Sequence, residues 1–471
     1  MAKNVYLTTT LPYVNAEPHI GFALEIIQAD TWARTMRLMG YEVVFNTGTD
    51  EHGQKIYERA VAEKKDPQVY CDEYAAKFDL LKKLLNLSYT NFIRTTDPHH
   101  KKAAQEFWKR CLKNGDIYKK NYKMKYCVGC ELEKTDSELV DGRCPIHPKM
   151  ELQTIEEENY FFKFSKYREK LLDLYAKNPR FVLPDFRLNE IRSFVEKGLQ
   201  DFSISRLKHK MPWGVDVPDD PEHVMYVWFD ALVNYISTLN WPTDEKKFND
   251  YWPGYQTAGK DNLRQQAAIW QAMLASAGLP FSKQIFIHGF ITSDGQKMSK
   301  SLGNVINPAE LVGKYGVDAV RFYLLREIPA LDDGDFSYHR MEEIYNADLA
   351  NELGNMVMRV TTLAEKDHLE VTTKQHTFDP AIASLIESYQ FNLALEKIWS
   401  LVKGHNKEID DFAPWKKSAE ERKQFLTESL QKIGTIAFHL EPFMPETADK
   451  IMKAVSGNIA KIEPLFPKRN T

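Results

Sequence analysis

The sequence predicts an α/β protein: a doubly wound parallel sheet, split by a metal-bearing insertion and followed by an all-helical C-terminal region. Three observations carry this. Strand and helix patterns alternate through the first hundred residues. The alternation breaks near Asn114 and returns near Val224, with clustered cysteines between. From about Asn346 only helical periodicity remains. A chain of 471 residues is also too long for one core, so two to four domains are expected.

Val5–Thr10 is β-rich, and a Pro/Asn loop runs from Leu11 to Pro18. Phe22, Ile26, Ala29, Ala33 and Met36 then fall on one helical stripe, closed by Gly40. Tyr41–Asn46 is a second β-rich run ending in the polar loop Thr47–Gly53. This is a βαβ unit, which places a ligand crevice at the carboxyl ends of parallel strands. After the insertion, a strand is expected at Val224–Trp228, a helix at Gln265–Ala277 and a strand at Gln284–His288. A further helix begins at Pro308 with Asn307 as its cap. Leu426, Leu430, Ile433, Ala437 and Leu440 form one late helical stripe, and Ala394, Ile398, Leu401 and Val402 another, which reads as a helical bundle.

Two short segments carry the chemistry. Pro18-His19-Ile20-Gly21 opens a helix, where backbone N–H groups and an imidazole can meet a phosphate. Lys297-Met298-Ser299-Lys300-Ser301, in a Gly/Ser-bearing loop, brings two cations that can close on a polyphosphate. Gly259-Lys260-Asp261 adds a third cation after an expected strand. A lone Lys-x-x-Lys is ordinarily solvated surface; the pairing with His-x-Gly gives it weight. Neither a Walker A nor a GxGxxG pattern is present.

Cys127-x-x-Cys130, thirteen residues, then Cys144-x-x-His147 has ligand spacing at both ends. Three thiolates and an imidazole close a tetrahedral Zn²⁺ site with no open position, so the expected role is structural, one Zn²⁺ per chain. Cys71 and Cys111 read as ordinary helix residues. An odd count of five cysteines, three of them clustered, fits a reducing cytoplasm better than a disulfide framework. Met1-Ala2-Lys3-Asn4 runs into the first strand without an apolar leader, and no window has the apolar length of a membrane span. Apolar content of 43%, charged content of 27% and a net charge of −4 describe a globular chain with no global affinity for DNA.

With these residues in hand, the chain resembles class I aminoacyl-tRNA synthetases, and among them the methionyl-tRNA synthetases. The matching segments run nearly end to end: Leu11-Pro12-Tyr13, Pro18–Gly21, Asn46–Gly53, the zinc knuckle of three cysteines and one histidine, Tyr226–Ala231, Gly259–Asp261, Lys297–Ser301, Asn351–Arg359 and Ala413-Pro414-Trp415. The resemblance implies a Rossmann-like catalytic domain that forms methionyl-adenylate from methionine and ATP, with Mg²⁺, and then charges tRNA. It implies catalytic roles for His19, Gly21, Lys297 and Lys300, and nucleotide contacts from those residues with Phe22, Lys260, Met298, Ser299 and Ser301. Asp50 would bind the substrate ammonium. Leu11, Tyr13, Trp228, Ala231, Tyr235 and Ile269 would line a thioether pocket, with Asp261 and Gln266 as polar neighbours. Asn355, Arg359 and Trp415 would face the anticodon, although Trp415 read without the resemblance is a core aromatic. The implied divisions are 1–114 and 224–300 for the catalytic domain, 115–223 for the insertion, 301–345 for a linker and 346–471 for an anticodon-binding domain. A cytoplasmic monomer is expected, with no membrane partner.

Three positions depart from the family pattern. Phe22 stands where a second histidine is usual, Asn262 where an apolar residue is usual, and Gln266 where a histidine is usual. They motivate two alternatives to an active methionine enzyme: the same chemistry with altered amino-acid specificity, and an inactive synthetase-like tRNA-binding protein.

Overall fold

The computed structural model describes residues 3–130, 132–134, 138–298, 304–372 and 374–469. At its centre lies a six-stranded sheet in which every pairing is parallel. Its strands are β1 (Asn4–Thr9), β2 (Glu42–Thr49), β3 (Asn91–Arg94), Val182–Leu183, Tyr255–Gly259 and Gln284–His288. Across the sheet the order is β3, β2, β1, Tyr255–Gly259, Gln284–His288, Val182–Leu183. The chain winds outward from β1 through β2 and β3 on one side; it then lays Val182–Leu183 at the far edge, returns beside β1 with Tyr255–Gly259 and fills the gap with Gln284–His288. The strand order reverses between β1 and Tyr255–Gly259, which is where a doubly wound sheet leaves a crevice.

Alternation along the strands sorts the core into two layers. Val5, Leu7, Phe45 and Phe286 join one apolar cluster, and Tyr6, Ala258, Ile285 and Ile287 the other. The first layer runs without a break from α1 (Ile20–Leu38) into the C-terminal helices, through Phe322, Leu349, Trp399 and Leu430. The second layer packs the helix Pro98–Lys113, through Phe107 and Trp108, against residues of the insertion such as Phe162 and Leu171.

Within the insertion, Ile117–Cys127 and Gln153–Phe162 form a long antiparallel pair, flanked by Leu132–Lys134 and Phe202–Ser203. The C-terminal region is built from helices, chiefly Asn355–Lys366, Phe391–Phe412, Ala419–Leu440 and Pro445–Ala454. One helical run, Tyr338–Lys366, passes through residue 346 with a π-helical stretch at Tyr345–Gly354. No helix of the described residues is long and apolar enough to cross a membrane.

Several expectations are corrected. Val224–Trp228 is not a strand of the parallel sheet: His223–Met225 pairs antiparallel with Ser205–Leu207, and Val227–Ala231 is a helical turn. The α1 stripe is wider than Phe22, Ile26, Ala29, Ala33 and Met36, because α1 lies between the sheet and other helices and buries Glu25, Gln28 and Asp30 as well. Leu401 is solvent-exposed on its helix, outside the buried stripe of Ala394, Ile398 and Val402. The segment before the lysines is an ordered hairpin: Ile291–Ser293 pairs with Gln296–Lys297 across Asp294-Gly295, both at positive φ as a tight hairpin turn requires.

One ion pair ties these parts together. Asp30 of α1 and Arg321 of the helix Val317–Arg326 meet at 2.8 Å, and both side chains are fully buried. The Arg321 guanidinium also donates to the carbonyls of Leu85, Pro442 and Phe443. Removing one partner strands a buried charge. Arg321→Met is expected to lower unfolding stability by about 3–5 kcal/mol, and adding Asp30→Asn to recover part of that loss, as read by chemical denaturation.

Candidate active site and metal centre

An open cleft of about 730 Å³ lies over the carboxyl ends of β1, Tyr255–Gly259 and Gln284–His288. The segments that follow those strands form its walls, with Thr10–Tyr13 after β1, Asp261 and Asn262 after the second, and His288–Thr292 after the third. The N-terminus of α1 closes one side through His19, Gly21 and Phe22.

His19 is the N-cap of α1, and its Nδ1 accepts from the Gly21 N–H at 3.1 Å. That N–H is therefore not bare, contrary to the sequence reading. The bond in turn places the proton of the neutral imidazole on Nε2, leaving it as a donor. The ring opens onto the cleft, while the protein mass around it lowers its pKa by desolvation, which favours this neutral form. Phe22, half-buried, turns its edge against Phe78 at 5.6 Å between centroids; both line the cleft.

Opposite lies the amino-acid-sized end. Asp50 is buried at the end of β2, where its backbone N–H donates to Pro12 and its carbonyl accepts from Val14. These bonds lay Leu11–Val14 alongside Asp50, so Leu11, Tyr13 and Asp50 share one wall with Trp228, Ala231 and Tyr235. The Tyr13 hydroxyl donates to the His52 carbonyl at 2.6 Å. Behind this wall the Asp230 carboxylate bridges His52 Nδ1 at 2.6 Å and His100 Nε2 at 2.8 Å. Burial alone would raise the Asp230 pKa, but the two imidazoles outweigh it and hold the carboxyl at about 2.

The cleft gathers most of the expected site residues: His19, Gly21, Phe22, Leu11, Tyr13, Asp50, Trp228, Ala231, Tyr235, Asp261, Gln266 and Met298. Ile269 is buried and is not part of the lining. Lys260 lies at the rim, its Nζ 2.8 Å from Asp333 Oδ1 and 4.5 Å from the Phe290 ring centroid. Lys297 ends the hairpin that leads into Met298. Ser299, Lys300 and Ser301 lie outside the described residues.

Two further cleft residues are not singled out by the sequence. His288 Nε2 meets Glu25 Oε2 at 2.9 Å, and Glu25 Oε1 accepts from the Thr10 N–H and hydroxyl at 2.8 and 2.6 Å. Desolvation pulls the His288 pKa down, but Glu25 and the Gly289 carbonyl overcome it, so the net shift is upward. A glutamate in the apolar run of α1, and a histidine ending an expected strand at the ligand side of the sheet, are the available signals.

Away from the cleft, Arg359 stacks its guanidinium on the Trp415 ring at 4.8 Å and pairs with Asp410 at 2.7 Å. Asn355 stands exposed one turn earlier on the same helix, and Trp415 is 47% exposed. Trp415 is thus a surface ring, as the resemblance implies, and not core.

In the insertion, the ligand atoms of Cys127, Cys130, Cys144 and His147 all lie within 4.8 Å of one another. Three separations are 3.8 Å (Cys127 Sγ to His147 Nδ1), 3.4 Å (Cys130 Sγ to Cys144 Sγ) and 3.2 Å (Cys130 Sγ to His147 Nδ1). Bond lengths of about 2.0–2.3 Å in a tetrahedron require ligand edges of about 3.5–4 Å, so the donors fit a closed site of three sulfurs and one nitrogen. Gly129 is required there, since a Cβ would lie 2.5 Å from the His147 ring. Lys55 donates to the Gly129 carbonyl at 2.7 Å, fastening the knuckle to the segment after Asp50.

Comparison with known proteins places this cleft in a class. The family model for class I tRNA synthetases (M) matches residues 5–156 and 148–361, and the chain belongs to that family. Its relatives narrow the class. The chain is 44% identical to the methionine–tRNA ligase of Thermotoga maritima over 474 residues, covering 96% of this chain and 75% of that protein. It is 43% identical to the chloroplastic/mitochondrial methionine–tRNA ligase of Arabidopsis thaliana, over 93% of this chain and 75% of that one. The Mycobacterium tuberculosis methionyl-tRNA synthetase, solved in complex with methionyl-adenylate, superposes with a TM-score of 0.91 at 37% identity, covering 99% of this chain and all of that one.

Two outcomes test the site. Glu25→Gln removes the charge that raises the His288 pKa. The stability from that raised pKa is full below the unfolded value near 6.5 and is lost as pH rises through the folded value. The variant's deficit in thermal unfolding should therefore be greatest below pH 6.5 and shrink as the medium becomes alkaline. In the knuckle, Gly129→Ala should weaken zinc retention by about tenfold or more, measured as zinc per chain after dialysis against a graded chelator.

Proposed function

We infer that the protein is a methionine–tRNA ligase: it joins methionine to ATP as methionyl-adenylate, then passes the methionyl group to tRNA. The observation that carries this is the joining, in one cleft, of the His19–Gly21 helix start, the Asp50 carboxylate and the hairpin leading into Met298. Relatives and solved neighbours that bear the methionine enzyme's name over nearly the whole chain support it.

In the first step a methionine carboxylate oxygen attacks the α-phosphorus of ATP, and the bond to pyrophosphate breaks. Negative charge grows on the phosphoryl and leaving oxygens. His19 donates from Nε2 to that charge, with the α1 N-terminus beside it. Lys297 and Lys300 are the cations assigned to the leaving pyrophosphate, with Met298, Ser299 and Ser301 as their neighbours in sequence. Lys260 stands by at the rim, and Mg²⁺ accompanies the triphosphate. Asp50 holds the substrate ammonium, and Leu11, Tyr13, Trp228, Ala231 and Tyr235 receive the thioether. In the second step a terminal ribose hydroxyl of tRNA attacks the adenylate carbonyl and AMP leaves. Asn355, Arg359 and Trp415 offer unpaired anticodon bases a stacking face and polar contacts. Cys127, Cys130, Cys144 and His147 would hold Zn²⁺ through three sulfurs and one nitrogen, and the bound ion would supply folding energy to the insertion.

The five-part division is retained as part of this reading: a catalytic domain of 1–114 and 224–300, the insertion 115–223, which lends the edge strand Val182–Leu183 to the catalytic sheet, the linker 301–345 and the anticodon-binding bundle 346–471. A cytoplasmic monomer completes it, consistent with cysteines suited to a reducing compartment. The alternative of altered specificity finds no support in the side chains that motivated it. Both polar atoms of Gln266 are spent on protein partners, and Asn262 donates to Asp261.

Pyrophosphate exchange into ATP should depend on methionine and on no other natural amino acid. His19→Ala should lower kcat/KM in that assay by about 10²–10³-fold. Folded, zinc-loaded protein that exchanges nothing at saturating methionine would sink the reading.

A further inference from the structure

Resting on that reading and going beyond it, we propose that Arg422 is a positioning residue for anticodon recognition. Its buried guanidinium clamps the turn that carries Trp415 to the end of the helix that carries Asn355 and Arg359, and so sets the indole where an unpaired base would stack.

The turn does not hold its own shape. The helix Phe391–Phe412 ends at Ala413, whose φ of +51° is left-handed and strained for a residue with a Cβ. One 3₁₀ turn, Pro414–Lys416, follows before Ser418 caps the helix Ala419–Leu440. Trp415 stands in that turn as an exposed ring with the Arg359 guanidinium on one face. A ring so placed gives up much of the burial that anchors a core tryptophan.

Arg422, in the first turn of Ala419–Leu440, supplies the anchor. Its Nη1 donates to the Lys417 carbonyl at 2.8 Å and reaches the Pro414 carbonyl at 3.5 Å, so one nitrogen holds the backbone on both sides of Trp415. Its Nε donates to Asp367 Oδ2 at 2.6 Å, and its Nη2 donates to Oδ1. Asp367 is the C-cap of Asn355–Lys366, about two helical turns beyond Arg359. The Arg422 and Asp367 side chains are only 7% and 5% exposed, and the bond from Arg422 holds the Asp367 carboxyl below its usual range.

A buried ion pair adds little net stability over an apolar pair of the same shape. What this one supplies is direction, because three segments distant in sequence converge on one planar group. A lysine could face Asp367, but it lacks the rigid fork that also reaches two carbonyls. Phe412 stacks on Phe425 with ring centroids 4.1 Å apart, so apolar packing joins the two long helices independently of Arg422. The orientation of the turn between them is what falls to the guanidinium.

The double variant Arg422→Met, Asp367→Asn removes the clamp without stranding a charge. Its KM for tRNA(Met) in aminoacylation should rise about tenfold, with kcat near the parent value. Its KM values for methionine and ATP in pyrophosphate exchange should match those of the parent. Trp415→Ala alone should raise the tRNA KM by about thirtyfold, and adding the double variant to it should cost nothing more, because the clamp acts through the indole. Arg422→Lys keeps a charge facing Asp367 but loses the fork; a rise of about threefold is expected from it, and it serves if the double variant does not fold. A parent-like tRNA KM in the folded variant overturns the proposal. So do losses that multiply with that of Trp415→Ala, and so does an equal loss in pyrophosphate exchange, which marks a structural role only. These outcomes leave the ligase reading standing, whereas a parent chain that exchanges nothing at saturating methionine defeats both.

Discussion

Asp30 and Arg321 confront each other without water, and the architecture is arranged around making that tolerable. A buried ion pair recovers its desolvation cost only when its remaining lone pairs and hydrogens are matched. Here they are. Asp30 Oδ1 accepts from the Ser88 N–H and hydroxyl, Oδ2 also meets Arg34, and Arg321 reaches three backbone carbonyls. Burial would raise the Asp30 pKa, yet Arg321 and Arg34 hold it below the usual range. These contacts fasten the middle of α1 to the turn at 85–88, to the helix Val317–Arg326 and to the turn before Pro445–Ala454. Helix α1 cannot slide along its axis without breaking several of them together.

That constraint reaches the cleft because α1 begins there. With its body pinned, the N-terminus carrying His19 and Gly21 has a fixed depth relative to the strand ends. The other cleft segments are held by networks of the same kind. Glu25, also on α1, reaches Thr10 after β1 and His288 at the end of Gln284–His288, drawing toward one helix the ends of the two strands that lie either side of Tyr255–Gly259. Asp230 ties the turn bearing Trp228 and Ala231 to the loop bearing Asp50, through His52. The polar groups buried behind the cleft thus work as spacers. They set distances among segments that lie far apart in sequence, and apolar packing alone would leave those distances looser.

Local periodicity makes four strands of the parallel sheet, α1 and the late helices legible, whereas the short strands Asn91–Arg94 and Val182–Leu183 carry too few residues to show a period. The Cys127–His147 knuckle is legible because ligand spacing is itself local. What stays hidden depends on contacts distant in sequence. Nothing near Val224 shows that His223–Met225 pairs with Ser205–Leu207 in a separate small sheet, because a strand's partner is not written in its own residues. Glu25 and His288 lie 263 positions apart and acquire meaning only when the sheet brings them to 2.9 Å. Leu401 misleads because one apolar residue on an exposed face fits a helical stripe as well as a buried one does. Trp415 is the converse case: without the family pattern an indole reads as core, yet it needs only one stacked partner, Arg359, to be stable on a surface.

The departures at Phe22, Asn262 and Gln266 show how a site changes composition without losing its frame. Each side chain is absorbed by a neighbour that leaves no buried polar atom orphaned. Phe22 gives its ring an edge-to-face partner in Phe78, Asn262 donates to Asp261, and Gln266 has a donor on one side and an acceptor on the other. A polar residue added to an apolar slot with free donors would draw water or a polar ligand into it. With its amide consumed internally, Gln266 instead presents the cleft with little beyond its methylenes. Substitutions that break a pairing behind the cleft should therefore alter recognition more than substitutions of equal size on its open rim, where water can take the place of a lost partner.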